Sequence, residues 1–181
     1  IIGGIGSGKT SISKLFKSPV FNADKEVKFI YKNNKACFRD LKRKLPEFIK
    51  SYPVKKKDLI SAINHNGKNL KKISSVVHPI VRKRLRDFIK KNKDYEMIIL
   101  DIPLLIENKL NNKKDFLVFV DTNRSNVLKR LKQRTNFNKK IFDKLKENQI
   151  ELSKKKKLAH YIIDNNYPLN IIKKKIKKLK E

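Results

Sequence analysis

The sequence predicts an α/β fold in which a five-stranded parallel sheet is flanked by helices. Short apolar runs alternate with segments that carry apolar residues at helical spacing, and strands separated by helices in this way pair in parallel. The three convincing runs, at 97–100, 116–120 and 161–163, suit buried strands. A weaker run at 19–21 adds a fourth strand, and a first strand is expected directly before Gly3.

The helices between these strands are predicted from amphipathic faces. Because proline suits the first helical turn, His78-Pro79 and Pro168 are expected to begin two of them, and another is expected to begin near Lys9. The apolar faces consist of Ile12, Leu15 and Phe16; Val81, Leu85, Phe88 and Ile89; Val127, Leu128 and Leu131; and Leu169, Ile172, Ile176 and Leu179.

Two polar stretches interrupt the alternation of strands and helices. Residues 32–77 carry helical patterns without a convincing strand, so we interpret them as a helical insertion that binds substrate. Residues 135–157 are charged, and we interpret them as a lid in which the run from Lys154 to Lys157 is simply solvated. Residues 1–181 would then form a single domain with its core in 1–31 and 78–181.

Length and composition indicate one soluble domain. With 181 residues, 39% of them hydrophobic, the chain can bury one ordinary core. Cys37 is the only cysteine, which excludes an internal disulfide. No apolar run approaches the ~20 residues that a membrane span needs, and no signal peptide opens the sequence. We expect a cytoplasmic monomer or small homo-oligomer, with part of the first strand missing because no initiator Met precedes Ile1.

The chain is strongly basic, with 47 Lys and Arg against 17 Asp and Glu and a net charge of +30. Such a charge is typical of nucleic-acid-binding proteins, and that class stays one alternative. However, 39 of the basic residues are lysines spread along almost the whole chain, whereas dedicated phosphate-backbone readers concentrate arginine. We therefore expect no specific nucleic-acid partner and no membrane partner, although the positive field would attract polyanionic substrates.

A phosphate-binding loop is the strongest local signal. The segment from Gly3 to Thr10 matches the pattern G-x-x-x-x-G-K-[ST], and it holds four of the five glycines in the chain. Glycines let successive backbone N–H groups turn around a phosphate, Lys9 can reach the β- and γ-phosphates, and the Thr10 hydroxyl can bind Mg²⁺. The residues expected to bind ATP are Gly4, Ile5, Gly6, Ser7, Gly8, Lys9, Thr10 and Ser11.

Three carboxylates follow the predicted strands. Asp24, after the weak second strand, can accept a proton from an alcohol or help to hold Mg²⁺, but it can equally be a helix N-cap. Asp101 ends the run at 97–100, where a phosphate-loop enzyme often keeps the carboxylate that orders Mg²⁺; the alternative is a turn before Pro103. Glu107 either lies near the substrate or is a surface charge.

Two of the eight arginines lie at the entrance to the predicted lid. Arg130 and Arg134 are four residues apart on one helical face, so their guanidinium groups could stabilise charge on a transferring phosphoryl group. The alternative is ion pairing with acidic residues of the lid, such as Asp143 or Glu147. His78 is expected to face the insertion, where it either contacts a ligand or is structural.

Five further motifs follow the loop in order. They are Asn22-Ala23-Asp24; Val76-Val77-His78-Pro79-Ile80-Val81; Asp101-Ile102-Pro103-Leu104-Leu105-Ile106-Glu107; Arg130 with Arg134; and Gln149 with Ala159-His160-Tyr161-Ile162-Ile163-Asp164-Asn165. With these motifs the chain resembles the dephospho-coenzyme A kinase family over essentially its whole length. The resemblance departs at three positions, because Asn22 and His160 stand where the family has Asp and Lys28 stands where Arg is usual.

The resemblance implies a P-loop fold of the nucleoside-monophosphate-kinase type. It also implies transfer of the ATP γ-phosphoryl group to the ribose 3′-hydroxyl of dephospho-coenzyme A, with ATP and Mg²⁺ bound and Asp24 as the base. The resemblance makes Lys9 and Arg134, with Arg130 as a further candidate, the charge stabilisers, Thr10 the Mg²⁺ ligand and Asn165 a residue near the adenine of ATP. The candidates from the sequence pattern itself are His78, Asp101 and Glu107 for substrate and Asp101 for Mg²⁺. Another enzymatic alternative is a kinase for a nucleotide or a small alcohol such as shikimate.

Overall fold

The computed structural model of the chain describes residues 1–108, 110–133 and 149–180. The strands that it describes are β1 (Ile2–Gly3), β2 (Val20–Asn22), β3 (Ile99–Asp101), β4 (Val118–Asp121) and β5 (Tyr161–Asp164). The helices are α1 (Lys9–Leu15), α2 (Ala23–Asn33), α3 (Lys35–Lys44), α4 (Lys56–His65), α5 (Lys68–Lys91), α6 (Arg124–Lys132), α7 (Leu152–Lys157) and α8 (Leu169–Lys180). Arg134 and most of the predicted lid, up to residue 148, lie outside the described residues.

The strands form two sheets where the sequence predicted one. A three-stranded sheet has the order β1-β4-β5, and both of its pairings are parallel, with Ile2 opposite Phe119 and Val120 opposite Ile163. A two-stranded sheet contains β2 and β3, and the Ile99 amide donates a hydrogen bond to the Pro19 carbonyl at 2.8 Å. The prediction of parallel strands is thus confirmed for the larger sheet, whereas a continuous five-stranded sheet is not found among the described residues. With only two to four residues each, the strands offer few ladder hydrogen bonds.

Compact packing divides the chain into two units, residues 1–20 with 95–181 and residues 21–94. The first unit contains the three-stranded sheet, and its core joins α1, β4, β5 and α8. The buried members of this core are Ile1, Ile12, Phe16, Ile99, Val118, Val120, Ile163, Ile172 and Ile176. Each buried aliphatic or aromatic side chain contributes about 1.5–3 kcal/mol. This core therefore anchors α1, which follows the loop after β1, in the first unit.

The second unit is helical, and α2, α3 and α4 all pack against the long helix α5. Its interior includes Ile30, Cys37, Leu41 and Ala62, none of which is more than 1% exposed. Residues 32–77 contain no strand, which confirms the helical character predicted for them. Their division by role into insertion, core and lid stays a prediction.

The helix predicted to begin at His78-Pro79 begins ten residues earlier, at Lys68, and that prediction was wrong. Proline inside a helix removes one hydrogen bond and costs about 3 kcal/mol. A continuous stripe of buried residues runs past Pro79 on both sides, and its packing against the other helices outweighs this local cost. The stripe consists of Ile73, Val76, Val77, Val81 and Leu85.

The other two predicted helix starts agree with the structure. The helix predicted near Lys9 begins at that residue as α1, and the last helix begins at Leu169, directly after Pro168. Among the described residues, none of the helices combines the length and the apolar character that crossing a bilayer requires.

Candidate active site

The phosphate-binding loop links β1 to α1 within the first unit. Its turn is closed by the Ser7 amide, which donates to the Gly4 carbonyl at 3.2 Å. Gly8 has φ of 91°, in the left-handed region, and a Cβ there would lie 2.4 Å from Nδ2 of Asn165. Only glycine therefore fits at this position, both for its backbone angle and for the close approach of Asn165.

Lys9 is folded back onto the loop that precedes it. Its Nζ donates to the carbonyl oxygens of Gly4 at 2.7 Å and Gly3 at 3.2 Å, and the residue is only 8% exposed. The ammonium group is thus held inside the loop. From this position it can exchange carbonyl oxygens for phosphate oxygens, which are stronger partners because they are charged.

Thr10 and Asp101 are brought together, as the two candidate Mg²⁺ ligands should be. The Thr10 hydroxyl donates to Oδ2 of Asp101 at 2.6 Å, and Asp101 is 2% exposed at the end of β3. Thr10 itself is exposed on the first turn of α1. A hydroxyl and a carboxylate are hard oxygen donors of the type that Mg²⁺ prefers. The donor set therefore fits a magnesium ion that also binds substrate phosphates.

Arg130 and Asn165 also reach the loop, but through its backbone. Both side chains donate to the Ser7 carbonyl, Nη1 of Arg130 at 3.1 Å and Nδ2 of Asn165 at 2.7 Å. The Thr122 hydroxyl lies 2.9 Å from the same oxygen and 2.8 Å from the Asp121 carbonyl, so its single proton is shared between these two acceptors. The Ser7 hydroxyl is itself buried and makes no hydrogen bond to any described residue. The loop thus carries one carbonyl with several donors and one buried hydroxyl for which the described residues supply no partner.

Glu107 lies in a buried ion pair that the sequence did not predict. Its Oε1 pairs with Nζ of Lys155 and accepts from the Ile150 amide at 3.0 Å. The Lys155 side chain is 1% exposed and that of Glu107 is 10% exposed, so the lysine run at 154–157 is not uniformly solvated as expected. Helical periodicity turns Lys155 inward while its neighbours face solvent, and Glu107 compensates the charge. Glu107 is therefore not a surface charge.

Asp24 and His78 belong to the helical unit. Asn22, not Asp24, is the N-cap of α2, because its side chain accepts from the Lys25 amide at 2.8 Å. Asp24 is exposed in the first turn of that helix. His78 is an exposed residue of α5. Burial of part of its imidazole, together with the positive charge of the Arg82 guanidinium, lowers the pKa of His78. The neutral imidazole is thus favoured at His78.

Two residues with contacts in this region, Thr122 and Lys155, were not predicted from the sequence. Thr122 directly follows β4, and a hydroxyl at the carboxyl end of a parallel strand is a signal that could have identified it. No local signal distinguishes Lys155 from the three lysines beside it. Within the described residues, no group of three or more His, Cys, Asp and Glu side chains is arranged to hold a metal ion.

Known proteins are similar to this chain in sequence over most of its length. The dephospho-CoA kinase of Ehrlichia canis is 31% identical across 99% of this chain and 92% of its own length. The dephospho-CoA kinase of Wolbachia pipientis wMel is 30% identical across 92% of this chain and 87% of its own length.

Two solved structures show the same fold. TT1252 from Thermus thermophilus superimposes with a TM-score of 0.80 at 23% identity, covering 98% of this chain and 93% of that chain. The dephospho-CoA kinase from Campylobacter jejuni gives a TM-score of 0.66 at 21% identity, covering 98% and 92%. At these identities the likeness shows the fold, an α/β arrangement of parallel strands and helices. The family model for dephospho-CoA kinase matches residues 1–170. The chain therefore belongs to the dephospho-CoA kinase family, whose members are kinases that transfer a phosphoryl group from ATP.

Proposed function

We propose that the chain transfers the γ-phosphoryl group of ATP to the ribose 3′-hydroxyl of dephospho-CoA, producing CoA and ADP. The observation that carries the proposal is the folded phosphate loop, with the buried Lys9 ammonium inside it and Thr10 bonded to Asp101 beside it. Membership of the dephospho-CoA kinase family indicates that dephospho-CoA is the acceptor, and the loop can bind the phosphates of the donor, ATP.

The loop binds the polyphosphate of ATP in this proposal. Backbone N–H groups around Gly8 and the buried Ser7 hydroxyl donate to phosphate oxygens, while Lys9 exchanges its carbonyl partners for the β- and γ-phosphates. Ser11, an exposed residue in the first turn of α1, and the remaining loop residues complete the proposed ATP site. Asn165, which contacts the loop at Ser7, would lie near the adenine of ATP in this proposal.

Thr10 and Asp101 are the proposed magnesium ligands, Thr10 directly and Asp101 either directly or through water. When bound, the ion supplies charge neutralisation for the β- and γ-phosphates. The hydrogen bond between the two side chains keeps both oxygens at one place before the ion and the nucleotide arrive. Preorganisation of this kind lowers the cost of assembling the site.

Asp24 is the proposed general base. Its carboxylate accepts the proton of the 3′-hydroxyl as that oxygen attacks the γ-phosphorus, and the bond from the γ-phosphorus to the bridging oxygen of ADP breaks. Lys9 and Arg134 stabilise the charge that develops on the phosphoryl oxygens. Residues 32–77, with His78 next to them, would bind the acceptor, and a lid at 135–157 would exclude water.

A substrate panel with matched lysine variants tests this assignment. The chain should phosphorylate dephospho-CoA and leave AMP, shikimate and pantetheine unphosphorylated. Lys9→Ala should reduce turnover by at least roughly 10²-fold. Lys14→Ala removes the same charge from an exposed position of the same helix and should retain full activity. Equal turnover of another acceptor, or an active Lys9→Ala enzyme, would overturn the proposal.

The partners in this proposal are small molecules. ATP and dephospho-CoA are both polyanions, so the net charge of +30 favours their encounter with the enzyme. We propose a cytoplasmic enzyme that acts as a monomer or small homo-oligomer without a specific nucleic-acid partner.

A further inference from the structure

We propose that Thr122, Arg130 and Asn165 are positioning residues that hold the peptide between Ser7 and Gly8 in its phosphate-binding orientation. The inference rests on the proposed function, because it assigns a purpose to contacts made with the ATP-binding loop. Its basis is that side chains from three separate segments converge on one carbonyl oxygen, that of Ser7, with Arg130 and Asn165 as full donors and Thr122 as a hydroxyl shared with the Asp121 carbonyl.

The Ser7 carbonyl is saturated by these contacts. The donors are Nη1 of Arg130 at 3.1 Å, Nδ2 of Asn165 at 2.7 Å and Oγ1 of Thr122 at 2.9 Å, which shares its proton with the Asp121 carbonyl at 2.8 Å. A carbonyl oxygen has two lone pairs, so three donors exceed what an ordinary backbone acceptor receives. One of the donors is charged, and charged hydrogen bonds are about twice as strong as neutral ones. This oxygen is thus held more firmly than ordinary loop backbone.

The three donors are also tied to one another and to the sheet. Nη2 of Arg130 donates to the Asn165 carbonyl at 3.1 Å, and the Asn165 amide donates to the Asp121 carbonyl at 2.8 Å. Thr122 and Asn165 directly follow β4 and β5, which are paired in parallel up to Asp121 and Asp164. Thr122 and Asn165 are therefore anchored at the ends of two paired strands, and Arg130 is anchored on α6.

Clamping the Ser7 oxygen determines the direction of the Gly8 amide. In a planar trans peptide the C=O and the following N–H point in opposite directions, so both are fixed when one is fixed. Gly8 could otherwise rotate easily, since glycine has the largest backbone freedom and this one is at φ 91°. An anion-binding turn needs successive N–H groups aimed at one point. The three donors would supply the restraint that the glycine lacks.

This role differs from direct stabilisation of the phosphoryl group by Arg130. The two Nη atoms of its guanidinium bridge the carbonyls of Ser7 and Asn165, a planar two-pronged contact that lysine can reproduce only in part. A positioning role predicts loss of nucleotide affinity together with a disturbed Gly8 amide. A direct role predicts loss of kcat while affinity and amide are preserved.

Nuclear magnetic resonance of protein labelled with ¹⁵N-glycine reads the Gly8 amide directly. The chain has only five glycines, four in the loop, and Gly67 in the helical unit serves as an internal reference. In nucleotide-free protein, Thr122→Val and Arg130→Ala should each shift or broaden the Gly8 signal and leave Gly67 unchanged. Arg124→Ala, which removes an exposed arginine from the first position of α6, is the matched control and should leave both signals unchanged.

Calorimetric titration with ADP measures the consequence for binding. Thr122→Val should weaken ADP about three- to tenfold and Arg130→Ala at least about tenfold, the range expected for neutral and charged hydrogen bonds. Arg130→Lys should recover part of the loss. The double variant should lose less affinity than the product of the single losses, because both donors act through one peptide.

The proposal is overturned if both variants match Arg124→Ala in the Gly8 signal and in ADP affinity, whether or not Arg130→Ala loses kcat. Failure of the proposed function would look different. Wild-type protein would then bind no ADP or transfer no phosphoryl group, while the Gly8 signal of the nucleotide-free variants would still report whether the three donors orient the peptide.

Discussion

The Thr10 hydroxyl donates a 2.6 Å hydrogen bond to Oδ2 of Asp101, across 91 residues of sequence. The bond joins the first turn of α1 to the end of β3, and it places two oxygen donors at one point beside the phosphate loop. Residues this far apart in sequence meet only because α1 packs against β3 in the core of the first unit. The hydrogen bond therefore depends on the packing of the first unit as well as on the two residues themselves.

Substitution of Asp101 tests the magnesium site. Asp101→Asn keeps the size of the side chain but removes the charge, so the apparent affinity for Mg²⁺ in the kinase reaction should fall roughly 10- to 100-fold. Turnover measured against Mg²⁺ concentration at saturating ATP gives that affinity. Asp94→Asn, at an exposed position, is the control and should follow the wild-type curve. An unchanged Mg²⁺ dependence in Asp101→Asn would remove Asp101 from the site.

Variants of Asp24 and Asn22 should have different effects, one on turnover and the other on the free energy of unfolding. Asp24→Asn should lower kcat about 10²- to 10⁴-fold, the contribution typical of a general base, with little change in ATP affinity. Asn22→Ala should instead destabilise the protein by about 1 kcal/mol, because it removes the side-chain acceptor of the Lys25 amide. Kinetics and urea unfolding of both variants measure the two effects. Full turnover by Asp24→Asn would show that another group takes the proton.

The buried pair between Glu107 and Lys155 should be costly to break from one side. Glu107→Ala leaves the Lys155 ammonium buried without its partner, and we expect a loss of about 3–5 kcal/mol in the free energy of unfolding. Replacing both residues, as Glu107→Leu with Lys155→Met, should restore most of it. Lys156→Met breaks a pair with Asp121 that is 46% and 38% exposed, and it should cost no more than about 1 kcal/mol. Equal effects of Glu107→Ala and Lys156→Met would contradict the buried pair.

Cys37 should be chemically inert in the native protein. Burial raises the pKa of its thiol to about 11, and the residue is fully enclosed in the helical unit. Since the thiolate is the reactive form, only about one thiol in a thousand would be ionised at pH 8. Native protein should leave Ellman's reagent unchanged at that pH, whereas protein in urea should release one equivalent. Rapid reaction of the native protein would show that the helical unit opens readily.

Features set by local sequence were predicted well. The phosphate loop could be recognised because its glycines meet a local requirement, which Gly8 shows through its φ of 91° in the left-handed region. The positions of β4 and β5 followed from apolar runs, although each strand extends to the aspartate after its run, Asp121 or Asp164. Local chemistry alone decides these features, so the sequence contains the information.

Features set by distant packing were not predictable in the same way. Pro79 is locally typical of the start of a helix, yet α5 continues through it because the buried stripe on both sides packs against the other helices. Lys155 differs from its neighbouring lysines only in facing Glu107, which lies 48 residues earlier in the chain. Asn22 rather than Asp24 caps α2 because the helix begins at Ala23. Asp24 would be the cap if the helix began two residues later, and the local sequence suits either start. In each case the deciding partner is remote or depends on the exact register.

Product analysis by mass spectrometry tests most directly whether the chain phosphorylates dephospho-CoA. The full chain is incubated with ATP, Mg²⁺ and dephospho-CoA, and the acceptor is examined for added mass and for the position of the phosphate. We expect CoA carrying one new phosphate on the ribose 3′-oxygen, formed in equal amount to ADP. Release of ADP without any phosphorylated acceptor, or no consumption of ATP at all, would contradict this expectation.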